Sequence, residues 1–111
     1  MITELRKIIF ADEDLKKAIS ALSEKQGNKL LKGPIKTITI EENEAISATL
    51  VVDTLVGGES ETVTIEAPFL AAAMLRYCFE SNIPIPKNSQ KKIERADDSL
   101  AINITINVHE S

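Results

Sequence analysis

The sequence predicts an α+β domain made of two β-α-β-β repeats, which form one mixed, mainly antiparallel sheet with two helices on one face. Two segments, at about 12–26 and 68–82, carry apolar residues at helical spacing. The segments around them alternate apolar and polar residues, as half-buried strands do. Sliding the sequence against itself until Leu15 lies on Leu70 brings these elements into line. We therefore expect an internal repeat over 5–54 and 60–108.

The first unit is expected to begin with a strand over Leu5–Phe10 and to continue with a helix over 12–26. Asp12 is a candidate N-cap, and the acidic residues after it lie where the helix dipole favours negative charge. Gly27 supplies the left-handed residue that commonly ends a helix. The apolar face of this helix consists of Leu15, Ala18, Ile19 and Leu22.

Two further strands complete the first unit after an extended linker over 28–33. Ile38 and Ile40 alternate with polar residues in one strand, and the other strand follows a turn-like segment at 42–44. Gly57-Gly58 favours a tight hairpin, so the junction between the two units should itself be an antiparallel pair.

The second unit repeats this order, with a strand over 60–65 and a helix that begins near Pro68, a residue suited to the first helical position. Its apolar face consists of Leu70, Ala73, Met74 and Tyr77. Asn82 stands in the place of Gly27, and prolines keep the linker over 83–88 extended. If one residue is omitted at the last turn, the final strands of the two units align: Ile46, Ala48, Leu50 and Val52 with Leu100, Ile102, Ile104 and Ile106.

Two origins of this pattern stay open, because a helix followed by a hairpin is a common arrangement and few residues are identical between the units. Either the chain is a duplication or its halves are similar by coincidence. In both cases we expect one face of the sheet to be buried under the helices, with a core that includes Leu15, Ile19, Leu22, Leu70, Met74, Tyr77, Ile102 and Ile104. The other face is then open and rich in threonine and asparagine.

Length and composition are those of one ordinary domain, so 1–111 is treated as a single domain. The net charge of −4 disfavours nonspecific binding to nucleic acid or to anionic membranes. Cys78 has no second cysteine as a partner, which excludes a disulfide within the chain and favours a reducing compartment. The apolar run Ile8–Phe10 is too short for a secretory signal, and Phe69–Phe79 is shorter than the roughly 20 residues that span a bilayer. We therefore expect a cytoplasmic protein.

No residues have the spacing of a known catalytic or metal-binding motif, so the sequence predicts no catalytic residue, no metal and no cofactor. His109 is the single histidine, and it forms a candidate centre only if the fold gathers it with Asp53 and Glu66. An enzyme that binds a small molecule on the open Thr/Asn face is therefore the third function considered.

Basic residues cluster after each helix, which makes an anion-binding or nucleic-acid-binding protein the second candidate function. These segments contain Lys29, Lys32 and Lys36 in the first unit, and Lys87, Lys91, Lys92 and Arg95 in the second. No aromatic residue is interleaved with them to stack on bases, so solvated lysines are the simpler interpretation and nucleic acid is not the expected partner.

The second helix has more apolar surface than a helix needs in order to lie on a sheet. Beyond the face that matches the first helix, it carries Ala72, Leu75 and Phe79, where the first helix has a polar back. Either these residues are buried more deeply within the chain, or they contact another subunit. The leading hypothesis is accordingly a non-enzymatic interaction or binding module that forms a homodimer, through the second helix or through the open face of the sheet, or that binds an unidentified protein partner.

One segment of the second unit is distinctive in sequence: Leu75-Arg76-Tyr77-Cys78 through Ile83-Pro84-Ile85-Pro86-Lys87, with Lys91 and Lys92. It resembles a segment of small bacterial proteins of unassigned function. The resemblance covers about a fifth of the chain, contains no motif tied to chemistry and implies no site residue.

Overall fold

The computed structural model describes residues 2–26, 31, 33–54 and 57–108, which contain two helices and six strands. In chain order the elements are β1 (Ile2–Ile9), α1 (Asp12–Lys25), β2 (Ile35–Glu42), β3 (Ile46–Asp53), β4 (Ser60–Glu66), α2 (Ala67–Glu80), β5 (Gln90–Ala96) and β6 (Ser99–Val108). The fold is therefore α+β, as the sequence predicts.

The helix bounds lie close to those predicted, and the start of α1 needs a correction. Asp12 is the first helical residue instead of the N-cap, a position that Ala11 takes with an extended backbone and no side-chain capping bond. The Asp12 carboxylate instead forms an ion pair with Lys16 at 3.0 Å. Pro68 lies in the first turn of α2, as expected. Gly27 lies outside the described residues.

The strands do not form the single mixed sheet that the sequence predicted. They form two three-stranded sheets, in the orders β1-β6-β5 and β2-β3-β4, and all the described strand pairs are antiparallel. The first strand of each unit pairs with the last strand of the other unit, so the hairpin of one half is completed by a strand from the other half. Alternation of apolar residues fixes which face of a strand is buried, but it does not fix the neighbour of that strand.

The two sheets have corresponding registers. Ile38 pairs with Leu50, and its equivalent in the second unit, Ile93, pairs with Ile102. The pairs that join the two units follow the same relation, since Ile8 pairs with Ile102 and its equivalent Val63 pairs with Leu50. Leu50 therefore corresponds to Ile102. The turn between the last two strands is three residues shorter in the second unit than in the first, whereas the sequence alignment assumed a difference of one residue. The predicted alignment of the last strands was wrong by two residues, which leaves their faces unchanged.

One hydrophobic core contains residues from both helices and both sheets. Helix α1 contacts β2 and β6, whereas α2 contacts β3, β4 and β5, so each helix holds the two sheets together. Equivalent residues of the central strands are fully or almost fully buried: Ala48, Leu50 and Val52 in β3, and Leu100, Ile102 and Ile104 in β6. The predicted core residues are buried except for Tyr77, which is only partly buried.

The junction between the units is an antiparallel pair of β3 and β4, as predicted. Gly57 and Gly58 both have positive φ angles, of 57° and 72°, which glycine adopts without steric cost. The residues of the predicted open polar face are divided between the two sheets. The threonines of β2, β3 and β4 lie in one sheet, and the other sheet contains Asn103, Thr105 and Asn107 of β6.

Candidate functional site

Two neighbouring grooves flank the C-terminal end of α2, and they form the candidate site. The first, called the lysine groove, has a volume of about 380 Å³ and is lined by Leu75, Phe79, Ile83, Ile85, Lys87 and Lys91. The second, called the β1 groove, has a volume of about 320 Å³ and is lined by Ile8, Ile9, Phe10, Asp14, Tyr77, Ser81 and Ile83. Ile83 belongs to both linings, so the grooves meet at this residue.

The position of Ile83 follows from the way in which α2 ends. Asn82 has a φ of 59°, in the left-handed region that asparagine tolerates better than most residues. The Ile83 N–H donates to the carbonyl of Cys78 at 2.9 Å, and the Asn82 N–H donates to the carbonyl of Phe79 at 3.2 Å. This pattern is a Schellman motif, which reverses the chain and brings the residue after the left-handed position back against the helix. Asn82 therefore performs the role that the sequence predicted for it.

The β1 groove is built where the two helices and β1 converge. The rings of Phe10 and Tyr77 pack at a centroid distance of 5.8 Å with an interplanar angle of 53°. The Tyr77 hydroxyl donates to Oδ1 of Asp14 at 2.9 Å, and this bond, together with desolvation, raises the pKa of Tyr77. A carboxylate thus lies at the rim of a groove that is otherwise mainly apolar.

The three predicted interface residues have unequal exposure. Ala72 is exposed, Leu75 is partly buried in the lysine groove, and Phe79 is 83% exposed. Deeper burial within the chain, one of the two explanations for the apolar surplus of α2, is thereby excluded for Ala72 and Phe79.

Two of the predicted anion-binding residues, Lys87 and Lys91, lie in the lysine groove beside the predicted interface residues. The Lys91 ammonium donates to the carbonyls of Lys87 and Ser89, at 3.4 and 3.1 Å. Among the described residues, the lining of this groove contains these two cations and no carboxylate. It therefore combines an apolar floor with positive charge at one side.

Three of the remaining predicted anion-binding residues do not line the lysine groove: Lys36, Lys92 and Arg95. Lys92 lies on the opposite face of β5 from Lys91, because successive residues of a strand alternate. Lys36 donates to the Ser60 hydroxyl at 3.3 Å, and Arg95 donates to the carbonyl of Asp97 at 3.1 Å. Lys29 and Lys32 lie outside the described residues.

The two described members of the candidate centre, Asp53 and Glu66, do not lie close together. Asp53 pairs with Ser60 and Glu66 pairs with Ser47, so the two carboxylates are separated by six residues along β3, about 20 Å. His109 lies outside the described residues. Within the described ranges, no group of histidine, cysteine and carboxylate side chains has the arrangement of a metal site. Cys78 is buried, and desolvation raises the pKa of its thiol, which disfavours the reactive thiolate.

Sequence reasoning did not predict five apolar residues of the grooves as site residues: Ile8, Ile9, Phe10, Ile83 and Ile85. The last two were assigned to an extended linker. The available signal was that this linker alternates isoleucine with Pro84 and Pro86, whereas a solvated linker has no need of regularly spaced large apolar residues. Ile9 precedes α1 in a strand whose outward face we had not assigned.

Comparison with protein-family models, with curated proteins and with solved structures finds no match. None of the helices in the described part of the chain is long and apolar enough to cross a membrane.

Proposed function

We propose that this chain is a non-enzymatic interaction module that self-associates through the surface around the C-terminal end of α2. The observation that carries the proposal is the exposure of Phe79 beside an apolar groove. Burying such a side chain is worth about 1.5–3 kcal/mol, and proteins seldom leave large apolar groups adjacent on a surface without a use for them. A second copy of the chain covers this surface on both partners at once.

The alternative of an anion-binding or nucleic-acid-binding protein has weaker support. Lys36, Lys91 and Arg95 donate to groups within the chain, and Lys92 lies on another face. Phosphate binding by several lysines requires that they converge on one track. A salt titration of binding to DNA and RNA tests this alternative, since an affinity that weakens steeply with salt would favour it over self-association.

The proposal is tested by light scattering over a concentration series, on the unmodified chain and on Phe79→Glu. We expect the mass of the unmodified chain to rise from monomer to dimer with concentration, and the variant to remain a monomer, because a carboxylate at an apolar contact loses its hydration and the apolar area of the ring is lost.

Leu5→Glu is the matched control. Leu5 is 77% exposed and lies in β1, but it lines neither groove. The control is expected to dimerise like the unmodified chain. An unmodified chain that stays monomeric at millimolar concentration contradicts the proposal, and a dimer that is lost in Leu5→Glu but kept in Phe79→Glu places the contact elsewhere.

We also propose that the chain arose by duplication of a β-α-β-β unit and works as one domain in a reducing, cytoplasmic setting. The corresponding registers support the duplication, and so do the helix bounds, which coincide when Leu15 is aligned with Leu70. A peptide of residues 57–108 alone is then expected to form a twofold dimer, with β4 of one copy on β6 of the other. Far-UV circular dichroism and light scattering test this, and a peptide that stays unfolded at high concentration counts against equivalence of the units.

A further inference from the structure

The two grooves have opposite charges beside a shared residue. The lysine groove has Lys87 and Lys91 next to the exposed ring of Phe79, whereas the β1 groove has Asp14 at its rim. Ile83 lines both grooves, so the acidic and the basic parts belong to one continuous apolar surface.

From this arrangement we infer that the partner at this surface is a second copy related by a twofold axis near Ile83, with Phe79 of each copy inserted into the β1 groove of the other. The inference rests on the proposed self-association and specifies its geometry. A twofold axis at the shared residue places the lysine groove of one copy opposite the β1 groove of the other. The contact is therefore closed and leaves neither groove open for a third chain.

The β1 groove suits an aromatic side chain in size and in chemistry. Its volume of about 320 Å³ exceeds the roughly 150 Å³ of an engineered apolar cavity that binds benzene, so the groove has enough room for a benzyl group. Ile8, Ile9 and Phe10 all line this groove at the end of β1, and Ile9 is 65% exposed. Phe79 is the most exposed of the large apolar side chains in the described part of the chain. One copy thus supplies both the protruding ring and the recess that receives it.

The charged residues favour the same pairing. Insertion of Phe79 carries Lys87 and Lys91, which share its groove, toward Asp14 of the other copy. The opposite arrangement, with each groove facing its own equivalent, brings like charges together, which is unfavourable. Charge therefore selects the reciprocal orientation over the alternative, while the apolar side chains supply most of the affinity.

The test uses one variant of the protruding ring, Phe79→Ala, and one of the recess, Ile9→Glu, each studied alone and then mixed. Each variant alone loses both insertions of the dimer. A mixture can form a heterodimer in which the intact Phe79 of one chain enters the intact recess of the other. We therefore expect the heterodimer to bind about tenfold more tightly than either variant homodimer, measured as the mass by light scattering at equal total concentration.

In the control mixture, Leu5→Glu replaces Ile9→Glu. The Leu5→Glu variant alone is expected to form a dimer as strong as that of the unmodified chain. Circular dichroism of each variant establishes that the fold is retained. If the unmodified chain dimerises but the mixture of Phe79→Ala and Ile9→Glu does not recover mass, the twofold geometry is wrong while the proposed function stands. If Ile9→Glu alone dimerises normally, the recess is not used. A monomeric unmodified chain overturns both proposals.

Discussion

Replacement of Ile104 by alanine should remove a large part of the stability of the fold. Ile104 lies in β6, the central strand of its sheet, and its side chain is fully buried. The substitution deletes three carbon atoms, which at about 0.8 kcal/mol for each buried CH₂ corresponds to about 2.4 kcal/mol of lost transfer free energy. The cavity that remains adds to this, so we expect a total of about 2–5 kcal/mol. Domains of this size have about 5–15 kcal/mol in all.

The assay is urea unfolding followed by far-UV circular dichroism, with Ile106→Ala as the matched control. Ile106 lies two residues further along the same face of β6 and is only partly buried. Its truncation should therefore cost clearly less, with an unchanged dependence on urea concentration in both variants. A loss below about 1 kcal/mol for Ile104→Ala, or equal losses for the two variants, would refute the assignment of this face to the core.

Three further predictions concern the helix end, the thiol and an ion pair. Asn82→Ala should lower the free energy of unfolding by about 1–2 kcal/mol, because alanine is strained at this positive φ, while Asn82→Gly should not; urea unfolding compares them. Cys78, buried and with a raised pKa, should react with a thiol reagent only when the chain unfolds, so fast labelling of the folded protein would contradict its burial. The hydrogen bonds from Lys7 and then Asn103 lower the pKa of Glu94 from 4.5, so its stabilising effect is present above that pH and is lost as the pH falls through the lowered value. Melting temperatures measured from pH 6 to pH 3 should fall less steeply in Glu94→Gln than in the unmodified chain, and parallel curves would exclude this contribution.

Local signals in the sequence were sufficient to place the helices. Pro68 lies in the first turn of α2, and Asn82 takes the left-handed conformation beyond its end, because both effects act within a few residues. The prediction of Asp12 as the N-cap of α1 was wrong, because Ala11 takes that position. The Asp12 carboxylate has an alternative partner one turn later, Lys16. Competition between two local interactions is difficult to resolve from residue types alone.

The division into two sheets depends on distant parts of the chain. β1 pairs with β6, and β4 pairs with β3, so each unit completes its partner's hairpin. The periodicity of a strand is the same whichever neighbour it has, and the predicted single sheet satisfied the same pattern of buried and exposed residues. Only the geometry of the helices, each of which contacts both sheets, distinguishes the two arrangements.

The candidate site was predicted in two unconnected parts. The apolar surplus at Leu75 and Phe79 and the basic character at Lys87 and Lys91 were separate features of the sequence, and the fold brings them into one groove. These residues come together because the chain reverses at Asn82. The direction that the chain takes after this reversal cannot be derived from the identity of one residue. The apolar lining contributed by β1 comes from still further away in the sequence.

Comparison of equivalent positions in α1 and α2 shows which apolar residues of this surface the fold requires. When α1 and α2 are aligned from their first residues, the position of Phe79 corresponds to that of Glu24, which is exposed. Leu75 corresponds in the same way to Ser20. α1 therefore packs on the sheets with a polar residue at the position of Phe79. Leu75 packs against the hydrophobic core, whereas Phe79 does not, so Phe79 is additional to the requirements of the core. Phe79→Glu consequently gives α2 the residue type that α1 already has at the equivalent position. At a concentration where the chain is monomeric, the free energy of unfolding of this variant should match that of the unmodified chain. A large loss of stability in that monomer would mean that Phe79 serves the fold, and the argument for a second copy at this surface would then lose its basis.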